Sequence, residues 1–317
     1  MVNITEYKGA QVETITDPAI SQLMESFLAS QDVKPSSRAL YGRTLKQYFN
    51  WIGREHKRLQ DIARPDILQY KQALLDSGLS TLTAGSYLTA VRRFYEWAEA
   101  QKYYPNVAKG VKTPKRYKGF KKDPLSIDQV KQLLSSIETA TPQGKRDYAI
   151  LNLLLRTGLR TIEAARANVE DIRHKAGETV LHIQGKGETD REKYVLLTEK
   201  AYRPIVEYLE AVSFRKAGEP LFSSTSNNSR GGRLTTRAIS GIAKKYLRGI
   251  GLNSGRLTAH SLRHTAGVNV IRAGGDLYAA QLFMRHEDPA TTQLYLRTVE
   301  EELRLKNAPE KLLDAMF

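Results

Sequence analysis

The sequence predicts a mainly α chain in two parts, a small four-helix bundle followed by a mixed α+β domain with one small β-hairpin sheet. Three observations predict it. Apolar residues recur at helical spacing from Asp17 to Ala100, an interval of proline, glycine and lysine then interrupts them, and further on Thr179 to Gln184 and Lys193 to Leu197 alternate on either side of a turn-rich segment, Gly185-Lys186-Gly187-Glu188-Thr189-Asp190.

Asp17 and Pro18 read as an N-cap and first helical turn, with Ile20, Leu23, Met24, Phe27 and Leu28 following on one side. A second helix opens at Ser36-Ser37 and turns Leu45, Tyr48, Phe49 and Ile52 inward, leaving Arg43, Lys46 and Gln47 on a basic, solvent-facing side. A third starts at Pro65, passes through Ile67, Tyr70 and Leu74 and stops at Gly78, and a fourth spans Thr81 to Ala100 with Leu88, Val91 and Tyr95 inward. The bundle is thus expected over 17–104, behind a tail of 1–16. Between Lys102 and Lys122 stand eight cations, Lys112, Lys115 and Arg116 among them, and no acidic residue. Such a run repels itself unless a polyanion neutralises it, so the linker expected over 105–123 is also an expected DNA contact.

The second domain is expected over 124–317. Ser126 caps a helix through Val130, Leu133, Leu134 and Ile137, and the strongly apolar stretch from Tyr148 to Leu155 reads as a core helix. After the hairpin, helical patterns return from Thr235 to Ile250, from Ser261 to Ala273, where Gly274-Gly275 ends the helix, and from Pro289 to the C-terminus with a break at Pro309.

A length of 317 residues suits two cores, and 41% apolar content is ordinary for a folded soluble protein. Against 34 acidic residues the 49 lysines and arginines leave a net charge of +15, a field that attracts nucleic acid first and an anionic membrane second. The absence of cysteine excludes disulfides, thiolate nucleophiles and Cys-ligated zinc. No apolar run of membrane-spanning length and no leader at Met1 is found, so a cytoplasmic location in a bacterial, archaeal or phage setting is the expectation, with no membrane partner.

Chemistry concentrates late in the chain. His260, Arg263 and His264 fall at i, i+3 and i+4, so one helical face presents two imidazoles and a guanidinium. Zinc would need a third ligand and is repelled by Arg263, whereas a guanidinium fork matches phosphate oxygens in pairs. Arg160 ends Thr157-Gly158-Leu159-Arg160, before Thr161 as an expected N-cap and three residues ahead of Glu163. Lys186 sits between two turn glycines. Tyr295 is one of sixteen tyrosines, set apart by Asp288-Pro289, which caps a helix and places Thr291, Thr292 and Tyr295 along one side. Singly, each of these is more often a surface cation, a turn lysine or a half-buried ring.

Together they resemble the tyrosine recombinase (lambda integrase) family over nearly the whole chain. Thr157-Gly158-Leu159-Arg160 with Glu163 resembles the first arginine motif, Gly185-Lys186-Gly187 with Arg191 the hairpin lysine motif, and His260-Ser261-Leu262-Arg263-His264 the second box, with His286 and Tyr295 at the family's spacing. The bundle, with Tyr87-Leu88 and Val91-Arg92-Arg93-Phe94-Tyr95, is similar to the family's core-binding (SAM-like) domain. The resemblance implies the tyrosine recombinase/type IB topoisomerase fold and a site-specific recombinase that needs no metal and no cofactor.

It also implies roles. Tyr295 attacks the scissile phosphate to form a 3′-phosphotyrosyl link, Arg160 and Arg263 clamp its oxygens, Lys186 protonates the leaving 5′-oxygen, His260 takes the tyrosine proton or orients the phosphate, and His286 donates to a phosphate oxygen. Glu163 is expected to hold His260 or its neighbours, and His264 to support. Lys193 is the alternative to Lys186. The implied partner is double-stranded DNA with an inverted-repeat core site, engaged by a homotetramer, or with a second recombinase, through a Holliday junction. Leu303 to Phe317 resembles a tail that docks on a neighbouring subunit, the alternative being an ordinary packed terminal helix. Arg43, Lys46, Arg92, Arg93, Lys112, Lys115, Arg116, Arg233 and Arg237, with Arg230, are the candidate DNA contacts. Two departures stand out: Arg285 where many relatives have glycine before His286, and an acidic hairpin tip. Met1 to Thr16 is too short for an arm-binding domain, which places the resemblance nearer Xer-type recombinases and simple phage or transposon integrases. The rivals are a non-catalytic architectural DNA-binding protein, a type IB topoisomerase and, more distantly, a metallohydrolase.

Overall fold

The computed structural model describes residues 18–115, 122–185, 188–213, 216–314 and 316. Lys186 and Arg116 lie outside them, as do Asp17 and the whole of the N-terminal tail expected over 1–16. Two compact units divide the chain, Met1–Lys118 and Gly119–Phe317.

In the first unit four helices, α1 (Pro18–Ser30), α2 (Pro35–Arg54), α3 (Arg64–Asp76) and α4 (Thr81–Ala100), enclose an aromatic core. Phe49 meets Phe94 edge-on at 5.2 Å, Tyr48 meets Tyr70 at 4.9 Å, and the hydroxyls of Tyr48 and Tyr95 share a 2.8 Å hydrogen bond that satisfies two buried polar groups at once. The core continues past the last helix. Ala108 and Val111, expected in the linker, are buried against it, Tyr104 Oη donates to the carbonyls of Gln60 and Ile62, and Arg64 donates to Lys109 O. Their apolar spacing is masked in the sequence by the lysines and prolines around them.

The second unit is built on α6 (Pro142–Thr157), most of whose residues are buried. In front of it α5 (Ile127–Ser135) starts in a capping box of Ser126 and Gln129. After α7 (Thr161–Arg166) comes a three-stranded antiparallel sheet in the order β1 (Ile172–Lys175), β2 (Glu178–Ile183), β3 (Lys193–Leu196), with Ile183 opposite Lys193. β1 was not expected. Arg173, His174 and Lys175 are all exposed, so no alternation marks it, yet Ala176 and Gly177 at φ 51° and 83° make the two-residue turn that pairs it with β2.

The helix α8 (Glu199–Ala211), packed on α6, was not expected either, because Pro204 lies inside it. Proline removes the N–H that would bond Lys200 O, and Asn152 Nδ2 of α6 takes its place at 2.8 Å. Asn152→Ala is expected to lower stability by about 1 kcal/mol in chemical denaturation, since it removes the hydrogen bond to that part-buried carbonyl. Pro204→Ala in the same chain should recover part of the loss. The remaining helices are α9 (Thr236–Gly249), α10 (Ala259–Arg272), α11 (Leu277–Met284), α12 (Pro289–Lys306) and the short α13 (Glu310–Leu313). Among the described residues no helix is long and apolar enough to cross a membrane.

Candidate active site

Gly158 makes the turn on which the site is built. Its φ of 59° ends α6 in the left-handed region, and a Cβ there would stand 3.0 Å from Met284 Sδ and Phe283 Cε1, so both the turn and the close approach require glycine. The N-cap of α7 is Arg160, not Thr161. Glu163 accepts from the Arg160 backbone N–H at 2.7 Å and from its Nη1 at 2.8 Å, the first being the carboxylate half of the capping box that residues three apart at a helix start can form. Of the partners expected for Glu163, His260 or its neighbours, the carboxylate, 1% exposed, holds Arg160 and Arg285. Arg160 itself keeps 35% of its side chain open.

α10 brings the second arginine. Arg263, 2% exposed, donates through Nη1 to Gly158 O and through Nη2 to Met284 O at 2.6 Å, tying α10 to the ends of α6 and α11. Burial, with Arg160 and Arg285 beside it, pushes its guanidinium down to about 10, which leaves it charged at neutral pH. His260, on the first turn, is open to solvent yet crowded by protein atoms; that crowding and the charges of Arg263, Arg160 and Lys122 push its pKa down and keep it neutral. Buried His264 hydrogen-bonds through Nδ1 to Lys122 O at 2.8 Å, so that nitrogen carries the proton, and burial pushes the ring down to about 4.

Tyr295, on α12, is 2% exposed and lies against both remaining imidazoles. The His286 ring stacks on it at 5.7 Å and the His264 ring meets it edge-on at 5.1 Å. Gly267 of α10 permits this: a Cβ there would be 3.0 Å from Tyr295 Cε1. Burial raises the phenol's pKa while Arg263 and Arg160 pull it back, so at neutral pH it is protonated and within the field of both guanidiniums. His286 Nδ1 shares a 2.9 Å hydrogen bond with Thr292 Oγ1, and burial together with Arg263, Arg160, Arg285 and His260 pushes its ring down to about 4. When Thr292 donates, Nε2 keeps the only ring proton. Thr292 was visible in the sequence only as a neighbour of Tyr295; nothing there named its partner.

Arg160, Arg263, His260, His286 and Tyr295 are therefore brought together, and Lys186 lies outside the described residues. Lys193, at the base of the hairpin, pairs with Glu188 at 2.6 Å and Glu287 at 3.8 Å, and its pKa is raised by the Glu188 carboxylate. Arg191 pairs with buried Asp171. No group of three or more His, Cys, Asp or Glu able to hold a metal occurs among the described residues.

Of the other basic candidates, Arg43, Lys46, Lys112, Lys115, Arg230 and Arg237 are exposed. Arg92 and Arg93 line a cavity of about 590 Å³ with Asn106 and Lys109 in the first unit. Arg233 is exposed as well, and its guanidinium also bonds within the protein. Its Nη1 donates to Ala165 O and Ala167 O at 3.0 and 3.1 Å and its Nη2 to Asn168 Oδ1 at 2.5 Å, so it closes the loop after α7.

Comparison with known proteins places these features. The model of the phage integrase family matches residues 124–302, and that of the phage integrase N-terminal SAM-like domain matches 20–102. Tyrosine recombinase XerD of Proteus mirabilis is 29% identical over 294 residues, 91% of each chain, and that of Staphylococcus epidermidis is 30% identical over 269 residues, 83% of this chain and 88% of its own. Among solved structures, XerH recombinase bound to palindromic difH substrate in a post-cleavage complex superposes with a TM-score of 0.72 at 18% identity, covering 92% of this chain and 84% of that one. A lambda integrase fragment dimer bound to a COC′ core site gives 0.68 at 17% identity, covering 87% and 93%. At these identities the structural likeness is one of fold.

Proposed function

We infer the reaction from one premise: the chain belongs to the phage integrase family and is a tyrosine site-specific recombinase. One observation carries the assignment of roles, a buried phenol stacked on His286 within the field of Arg160 and Arg263. Tyr295 Oη attacks the scissile phosphorus; the new O–P bond forms as the bond to the 5′-oxygen breaks, giving a 3′-phosphotyrosyl link. The phenol is protonated, so its proton must go to a base, and His260, held neutral beside Arg263, is the acceptor. Arg160 and Arg263 hold the non-bridging oxygens as charge builds in the transition state, and His286, oriented by Thr292, donates Nε2–H to one of them. Lys186 protonates the leaving oxygen. Lys193 is the weaker acid for that step, because Glu188 stabilises its charged form. The link keeps the phosphodiester's bond energy, so a second 5′-hydroxyl reverses the attack without ATP.

The substrate is double-stranded DNA with an inverted-repeat core site, gripped by exposed cations of both units, Arg43, Lys46, Arg92, Arg93, Lys112, Lys115 and Arg237 among them. Two duplexes and four protomers exchange strands through a Holliday junction, in the cytoplasm of the host. The exposed Leu303, Leu305, Leu313 and Met316 at the chain end favour this over a topoisomerase acting alone, since such a row of apolar side chains suits a neighbouring subunit. Removing Leu303 to Phe317 is expected to weaken pairing of two DNA sites more than binding to one; equal losses in a gel-shift comparison would count against subunit docking.

The test of the reaction itself is a nicked suicide duplex offered in EDTA. Covalent protein–DNA adduct is expected, and sequencing DNA recovered with it would identify the site. No adduct on any DNA recovered from the host or its mobile elements would overturn the mechanism.

A further inference from the structure

We propose that Arg285 is a positioning residue for strand cleavage, one buried guanidinium that fixes both the carbonyl gripped by Arg263 and the carboxylate gripped by Arg160. The inference rests on the tyrosine recombinase reaction above. Arg285 Nη2 donates to Gly158 O at 3.2 Å and to Glu163 Oε2 at 3.4 Å, and Nη1 donates to Phe283 O at 2.8 Å and Thr157 O at 3.3 Å. Gly158 O also receives Arg263 Nη1, and Glu163 Oε1 receives Arg160 Nη1. The two phosphate-clamping arginines are thereby joined through a third that stands behind them. Thr157 closes α6 and Phe283 lies in the last turn of α11, so the same cation also sits at the negative ends of two helices.

The residue is retained against local costs. Its backbone occupies the left-handed region at φ 53°, where glycine would be at ease, and its side chain, 11% exposed, leaves Nε buried with no hydrogen-bond partner among the described residues. It also adds a third positive charge around one buried carboxylate, Glu163. A side chain chosen only to end α11 would be glycine, which meets none of these costs. What arginine supplies instead is reach: a planar fork with donors enough for three carbonyls and a carboxylate, which lysine cannot span.

The charge gives the idea a signature that a purely structural role lacks. The groups facing His286 are Arg263, Arg160, Arg285 and His260, with the Thr292 hydroxyl on Nδ1 and the Tyr295 ring stacked on its face. Every cation among them favours the neutral imidazole. Deleting the Arg285 charge therefore raises the pH at which the His286 ring takes up a proton, a shift read directly by NMR of that ring and separate from the acid limb of cleavage, which His260 sets.

The experiment measures single-turnover adduct formation, DNA affinity, thermal melting and the NMR titration of His286 for wild type, Arg285→Gly and Arg285→Lys, with cleavage followed on a duplex that wild type cuts. Arg285→Gly, which suits the backbone, is expected to bind DNA as wild type does, to form adduct about 10²-fold more slowly, to raise the pH at which His286 titrates, and to regain rate in added guanidinium chloride but not in sodium chloride of equal strength. Should Arg285→Gly fail to fold, Arg285→Lys carries the test, with slowed cleavage at intact affinity supporting the proposal. Cleavage at the wild-type rate in a folded variant, or an unmoved His286 titration in Arg285→Gly, overturns it. Absence of adduct with wild type would instead fault the reaction, a separate failure.

Discussion

Tyr295→Phe is expected to bind DNA like the wild type and to form no covalent adduct, a loss of at least about 10⁴-fold. The substitution removes one oxygen and leaves the ring. The ring stays between His286 and His264, and the contact with Gly267 is made by ring carbons, so stability and affinity should hold. The hydroxyl is the one expensive atom: burial raises its pKa, and Arg263 and Arg160 oppose that rise. An adduct of unchanged yield in the phenylalanine variant would sink the nucleophile assignment. The pH dependence has a definite sign. With the phenol protonated, the wild-type rate should climb on the acid side as His260 loses its proton, and because its pKa is lowered from 6.5, that climb should be complete below neutrality.

Arg160→Ala should cost about 10²–10³-fold in the same single-turnover assay, the usual loss on removing one preorganised donor to developing oxyanion charge. Its structural cost is contained. Glu163 keeps the backbone N–H of residue 160 and the guanidinium of Arg285, so the buried carboxylate is not stranded. Affinity should fall modestly, with the salt dependence of binding reduced by about one ion. A variant with normal cleavage would show that Arg160 does not touch the phosphate, whereas one that loses binding and cleavage alike would recast it as a docking residue.

Much of the architecture was legible because local chemistry and burial agree. Ser126, Asp288 and Gly158 mark helix ends that the backbone adopts, and the apolar spacing of the four bundle helices matches their buried faces. The failures have physical reasons. β1 is an exposed edge strand without alternation, α8 carries a proline whose missing hydrogen bond is answered from α6 by Asn152, and Ala108 and Val111 are two apolar residues hidden among cations. At the site, residue types were readable and their partners were not. Glu163 points to Arg160 and Arg285 because a helix start sets its reach, and Arg233 closes a loop because three acceptors happen to converge there. Arg285 stood out only as a departure from glycine; its four acceptors come from three separate stretches of chain.

The approach of Gly267 to Tyr295 also bears on how this sequence can change over generations. With a glycine on α10 and a phenol on α12, the ring is the spacer that keeps the two helices apart, packed with Val268, Met284 and Val299. Selection on the oxygen and selection on the ring are therefore separable. A descendant that abandoned DNA cleavage would be free to lose the hydroxyl but not the aromatic plate, so decay of function should leave phenylalanine at 295 and glycine at 267 as a linked pair.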